Sequence, residues 1–160
     1  MKSEYKYKWE GVWLITIRNT KTNKLTRDIV YNTITNLAFD EIIKGLYGSS
    51  PDMEIKELAI GDGSSVPSAT NTTLDNEVYR ISDTTAPTRT GVGQVTTEFI
   101  LLGTEYTGPI EEIGVFVGSG ALPWGAGAGK DTGLLLSRIL WSHTMVAEEE
   151  IYFQRVDNIS

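Results

Sequence analysis

The stretch WGAGAGKDTG, residues 124–133, has the residue types of a phosphate-binding loop, in which backbone amides and a lysine hold a polyphosphate while a hydroxyl binds magnesium. The spacing G-x-x-x-x-G-K-[ST] is not met. Counting back from Gly129 and Lys130, Trp124 stands where the first glycine is needed and Asp131 where the hydroxyl is needed, and an aspartate repels phosphate. The residues that follow, TGLLLSRILW, read as a strand and not as the helix whose N-terminus completes such a site. Residues 118–132 are therefore expected to be a mobile glycine-rich loop between two strands. Pro123 and Trp124 stand out in it, because an indole at a loop tip either anchors a contact between subunits or folds back onto its own body.

The remaining candidates for chemistry are as sparse. His143 is the single histidine and follows Ser142, but a nucleophilic mechanism also needs a carboxylate to orient the imidazole, and no such pattern surrounds it. With no cysteine and one histidine, a zinc site lacks its ligands. Glu111 and Glu112, and the run Glu148 to Glu150, are neighbours on strands; such side chains point to opposite faces, do not converge on one bond, and are expected at solvated strand ends. Gly61, Asp62 and Gly63 have the composition of a calcium loop, but Ser64 and Ser65 follow where further carboxylates are wanted, so a tight turn explains them. Glu77 and Arg80 lie three apart in LDNEVYR and can pair across one helical turn or with another segment. At the surface that pair is worth well under about 1 kcal/mol. Buried, it would fix the register between segments or between subunits. No catalytic, metal or cofactor set emerges, and the chain is expected not to be an enzyme.

The elements that must carry these residues are short strands. VWLITIR (12–18) places Trp13, Ile15 and Ile17 on one side, and TKTNK separates it from LTRDIVY, which predicts a hairpin. In NTITNLAFDEIIKGLYG, residues Ile34, Leu37, Ala38 and Ile42 fall at helical spacing, with Asn32 or Thr33 to cap the start and Gly45 or Gly48 to end it. Beyond Glu57 the pattern is all strand: QVTTEFILLG (94–103) alternates Val95, Thr97, Phe99 and Leu101, PIEEIGVFVG (109–118) alternates Ile113, Val115 and Val117, and these two are expected to pair. LLLSRILWS and EIYFQRVD, with Ile151 and Phe153 on one side, complete the set. The expected fold is mainly β, an antiparallel sandwich or Greek-key barrel with one short amphipathic helix. At 160 residues it is one domain, with an N-terminal arm of about residues 1–11.

Composition narrows the partners. A net charge of -7 repels polyphosphate, so nucleic acid is excluded as a main partner. Lys2, Lys6 and Lys8 alternate with Tyr5, Tyr7 and Trp9 at the start, a pattern of a nucleic-acid arm or of a lysine-protected edge strand, and the acidic balance favours the strand. No apolar run approaches the roughly 20 residues of a membrane span and no secretory core opens the chain, so the protein is expected to stay in the cell that makes it.

Four stretches in order, YNTITNLAFDEIIKGL, IKELAIGDGSSVPSATNTTLDNEVYR, VTTEFILLGTEYTGPIEEIGVF and GLLLSRILW, resemble the N-terminal region of phage tail-collar fibre proteins and related small tail or baseplate proteins. The matching positions are Gly61, Asp62 and Gly63 in the turn, Leu74, Asn76, Glu77 and Arg80 in the segment after it, and Ile110, Glu112, Gly114 and Phe116 in the strand. The resemblance implies a non-enzymatic virion subunit, made in the host cytoplasm, of a collar, baseplate or fibre attachment. It implies as partners copies of the chain, as a trimer or ring, and other virion proteins. A fibre protein of that kind continues into a shaft and receptor-binding tip, and this sequence does not, which leaves receptor recognition without support. Two alternatives stand beside it: a capsid decoration protein, gripping the shell through the arm or the loop, and a carbohydrate-binding module presenting Trp124 or Trp141 to a host glycan.

Overall fold

The structure, a computed structural model, describes residues 8–82 and 85–160; Lys2, Tyr5, Lys6 and Tyr7 of the arm lie outside them. Ten strands form two antiparallel sheets packed face to face. They are β1 (Trp9–Asn19), β2 (Leu25–Tyr31), β3 (Thr33–Ile34), β4 (Ile55–Gly61), β5 (Glu77–Ser82), β6 (Thr85–Gly91), β7 (Gln94–Leu102), β8 (Gly108–Val117), β9 (Leu134–Met145) and β10 (Glu149–Ile159). The first sheet has the order β2-β1-β10-β7-β6 and the second β3-β9-β8-β4-β5. The fold is thus a β-sandwich with one helix, α1 (Asn36–Leu46). No helix among the described residues is long and apolar enough to cross a membrane.

Alternation of side chains along the strands builds the interior. Trp13, Ile15 and Ile17 of β1, Phe99 and Leu101 of β7, and Ile151 and Phe153 of β10 meet Leu58, Ile60, Ile113, Val115, Val117, Leu136 and Ile139 of the second sheet in one buried cluster. The β1–β2 hairpin forms as expected, with Val12 opposite Tyr31 and Arg18 opposite Leu25. Its turn is stabilised by the Asn19 carboxamide oxygen, which accepts from the amides of Lys21 and Thr22.

The expected pairing of residues 94–103 with 109–118 is not found. β7 lies between β10 and β6 in the first sheet, and β8 lies between β4 and β9 in the second. The connection 103–107 carries the chain from the first sheet to the second, so the two strands lie in different sheets and share no ladder. Two alternating strands joined by five residues satisfy either arrangement locally. The strands available to flank each one decide it.

The helix also differs in detail. Thr33 and Ile34 pair with Arg138 and Ser137 as a two-residue strand. The cap is Thr35, whose hydroxyl accepts from the Ala38 amide at 3.3 Å, while the Asn32 side chain accepts from the Gly11 amide instead. Gly48, at φ +89°, ends the helix, with the Ser49 amide donating to the Lys44 carbonyl. The buried positions are Ala38 and Glu41, not the stripe that includes Leu37 and Ile42. Glu41 accepts from the Asp52 amide at 2.8 Å and from Lys44 at 2.5 Å. The side chains of Phe39, Ile42, Ile43, Leu46 and Tyr47 are left exposed.

Candidate functional site: two clasps on the outer face of the second sheet

The second sheet is covered on both sides. Its outer face carries Ala59, Phe116 and Leu135, which form a second apolar cluster with Leu74 and Ala121 of the overlying connections 62–76 and 118–133. A loop laid over a sheet brings unpaired backbone groups with it, and these must find partners or cost a hydrogen bond each. Two buried ion pairs supply them.

The first is centred on Glu112 of β8 and Arg138 of β9, both with fully buried side chains. Glu112 Oε1 accepts from the amides of Asn76 at 2.9 Å and Gly63 at 3.2 Å, and Oε2 from the Asp75 amide at 3.1 Å and from Arg138 Nε at 2.7 Å. Arg138 then spends its other donors on the Ser65 hydroxyl, the Ser65 carbonyl, the Asn71 side chain and the Asp75 carboxylate, at 3.0–3.2 Å. Every donor of the guanidinium is used, which is the condition under which a buried charge is tolerated. Asp75 is held below the usual carboxylate range, first by the Ser65 hydroxyl and amide that donate to it and then by Arg138.

Three of the motif glycines make this approach feasible. A Cβ on Gly61 would lie 2.5 Å from Glu112 Oε1 and 2.6 Å from the Asn76 carbonyl oxygen. One on Gly63 would meet Glu112 Oε1 at 2.6 Å, and one on Gly114 would meet Leu74 at 2.7 Å. Asp62 accepts from the Asn76 carboxamide at 2.6 Å and closes the loop on itself.

The second clasp is Glu77 with Arg80, both buried. Residues three apart on a regular strand point to opposite faces. Here Glu77 sits opposite Gly61 while Tyr79 sits opposite Ile60, so Val78 is an extra residue in β5, and this bulge turns Glu77 to the side of Arg80. The pair forms along a bulged strand and not across a helical turn, and both members also bind the 118–133 segment. The guanidinium donates through Nε and NH2 to Glu77 at 2.6 and 3.0 Å, and lies 4.1 Å from the centroid of the Phe116 ring. Its NH1 donates to the carbonyls of Leu122 and Thr132 and to the Thr132 hydroxyl, and Glu77 accepts from the Asp131 amide.

The glycine-rich loop is consequently not a free crossing. It contains a short 3-10 turn, Gly125–Gly127, and is sutured at both of its ends to one arginine. Its glycines are used for closeness: a Cβ on Gly129 would strike the carbonyls of Pro123 and Leu122. Lys130, the lysine of the apparent phosphate motif, donates to the Asn76 side chain at 3.1 Å and ties one loop to the other. Pro123 is exposed and Trp124 half-buried, its ring 5.7 Å from that of Tyr79.

The seven motif residues Gly61, Asp62, Gly63, Glu77, Arg80, Glu112 and Gly114 thus meet on one face of one sheet. Glu112 is no solvated strand end, which corrects the expectation for that carboxylate pair. Arg138 is the residue that sequence reasoning missed, and a lone arginine inside the apolar run LLLSRILW was its signal. A third buried pair, Arg155 with Asp157, was missed for the same reason and lies between the sheets, where Arg155 also donates to Ser137. His143 pairs with Glu149 at 2.8 Å and stacks on Trp141. Trp141 is buried and donates to Asp28, which removes it as a platform for a ligand. Among the described residues no group of three or more His, Cys, Asp or Glu could hold a metal ion.

What the arrangement does chemically is fasten two loops to the sheet through buried, mutually paired charges. The class so defined is a β-sandwich with two ion-pair-fastened loops on one outer face. No protein-family model, curated protein or solved structure matches the chain.

Proposed function

We propose that the protein is a non-enzymatic structural subunit of a phage virion, of the collar, baseplate or fibre-attachment kind, that works by packing against copies of itself and against neighbouring virion proteins. The observation that carries this reading is the orientation of α1. Phe39, Ile42, Ile43 and Leu46 follow the i, i+3, i+4, i+7 spacing of a helical stripe, and that stripe faces outward while Glu41 faces in. Leu46 is 81% exposed and Tyr47 66%. With its neighbours the patch is on the order of 500 Å², in the range of the largest apolar patch on a monomer, which is often functional. Ile42 also lines an apolar groove of about 550 Å³ with Trp9, Met53, Pro87 and Ile159, which extends the same surface. Two such patches meeting remove about 1,000 Å², the lower bound of a specific interface. The resemblance of the motif residues to tail-collar proteins supports the virion setting, and the fastened loops supply the rigid body that repeated contacts need.

The test is I43D/L46D. Both residues are exposed, so the folded monomer is expected to keep its thermal midpoint within a few degrees. Sedimentation of the wild type at increasing concentration is expected to show a closed oligomer, and the variant a monomer. A wild type that stays monomeric at high concentration, and that blots to neither purified heads nor purified tails, refutes the proposal. Blotting to heads alone transfers the role to capsid decoration.

A further inference from the structure

The fastened loop does more than cover the sheet: it holds Trp124 over a second groove. This groove, about 630 Å³, opens between β5 and the end of β7 and is lined by Tyr79, Ile81, Ser82, Leu102, Glu105 and Trp124. Its volume falls within the roughly 300–1,000 Å³ of small-molecule sites. Within the lining the Tyr79 ring is 5.7 Å from that of Trp124 and tilted 49° to it, and behind it Tyr79 stacks on Tyr106 at 6.1 Å.

These rings are fixed in place. The Trp124 carbonyl accepts from the amides of Gly127 and Gly129, and Arg80 grips the Leu122 carbonyl two residues before it. The Tyr106 hydroxyl donates to the Pro109 carbonyl at 2.8 Å. At the rim Glu105 is oriented by the Leu102 amide, which donates to Oε2 at 3.0 Å, and Oε1 has no donor among the described residues. Burial, and then the nearby Glu105, push the Tyr79 phenol above its usual value, so it stays a neutral donor under physiological conditions.

We infer that this groove binds a neutral oligosaccharide, with the C–H face of a pyranose ring against Trp124 and Tyr79 and adjacent hydroxyl groups donating to Glu105. The pattern of free groups chooses this ligand. Anions are disfavoured by Glu105 and by a net charge of -7, and the one cation in the lining, Arg80, is buried and paired with Glu77. A proline-rich peptide also stacks on aromatic rings and can accept from the Tyr79 hydroxyl, but proline has no N–H to offer the oriented free oxygen of Glu105. Sugar hydroxyls are donors. The site does not rest on the assembly reading: the two grooves share no lining residue.

The experiment is calorimetric titration of the full chain with three uncharged hexasaccharides, cellohexaose, maltohexaose and the hexamer of β-1,4-linked N-acetylglucosamine, with decaproline as the competing class. At least one hexasaccharide is expected to bind with a Kd below about 1 mM, a free energy of about -4 kcal/mol. Trp124→Ala is expected to weaken that binding by about tenfold or more, Trp124→Phe much less, and Glu105→Gln to an intermediate degree. Thermal midpoints serve as the folding control, and a half-buried ring at a loop tip is expected to move them little. Absence of binding by all three sugars, binding of decaproline alone, or saccharide binding untouched by Trp124→Ala each overturns the assignment. Loss of oligomerisation in the α1 variant leaves this titration unchanged, so the two proposals fail separately.

Discussion

Replacing Arg138 with methionine is the sharpest probe of the first clasp. The substitution keeps most of the side-chain volume and removes five donors, leaving Glu112 buried with three backbone amides and no counter-charge. Breaking a buried pair from one side costs about 3–5 kcal/mol. The surviving amides still solvate the carboxylate, so the lower part of that range applies, roughly 3 kcal/mol. For a chain of this length each kcal/mol lowers the melting temperature by about 2–4 °C, giving a fall of roughly 6–12 °C. The loss should be local before it is global, because Ser65, Asn71 and Asp75 lose their partner together. Hydrogen exchange is therefore expected to accelerate at the amides of Gly63, Asp75 and Asn76 while β1 and β10 keep their protection. The paired variant E112Q/R138M separates the stranded charge from lost packing, and its cost is expected to fall short of the sum of the single changes by about 0.5–3 kcal/mol. Protomer concentration must be held constant, since assembly adds to apparent stability. An R138M protein within about 1 kcal/mol of wild type, with unchanged exchange in 62–76, refutes the view that this pair fastens the loop.

Further outcomes follow from the same geometry. Arg80→Ala strands Glu77 and releases the carbonyls of Leu122 and Thr132, so limited proteolysis is expected to cut within 118–133 in the variant and to spare the wild type. Gly61→Ala places a methyl 2.5 Å from Glu112 Oε1 and against backbone, and denaturant unfolding is expected to show a loss of about 1–3 kcal/mol. In acid, Asp75 and Glu41 are both depressed, Asp75 first by Ser65 and Glu41 first by Lys44. A depressed carboxylate stabilises the fold above its unfolded value and loses that contribution as pH falls through the folded one. Stability is therefore expected to hold from neutrality to about pH 5 and to decline below about pH 4; a midpoint that rises in that window contradicts the assignment.

Local sequence pattern determined a good part of this protein. Period-two runs marked β1, β7, β8 and β10, an apolar run marked β9, TKTNK marked the turn of the first hairpin, and of the two glycines offered for the helix end Gly48 is the one used, because each signal depends on residues adjacent in the chain. The seven motif positions were named through a family resemblance, and Gly61, Asp62 and Gly63 lie at the end of β4 and in the connection after it, not in the tight turn expected of them; their common place on the sheet was not legible. That depended on relations between distant segments. Val78 as an extra residue set Glu77 beside Arg80 only because β4 runs past β5 in that register. Glu112 became a buried hub only because β9 brought Arg138 alongside and the 62–76 connection folded over both. A glycine-rich loop that composition describes as mobile was fastened by an arginine some forty residues earlier. The helix stripe was visible in the sequence, yet which side of it meets the body was decided by its packing against β9. Burial of charge and choice of strand partner are free-energy balances over the whole fold, and no local window contains their terms.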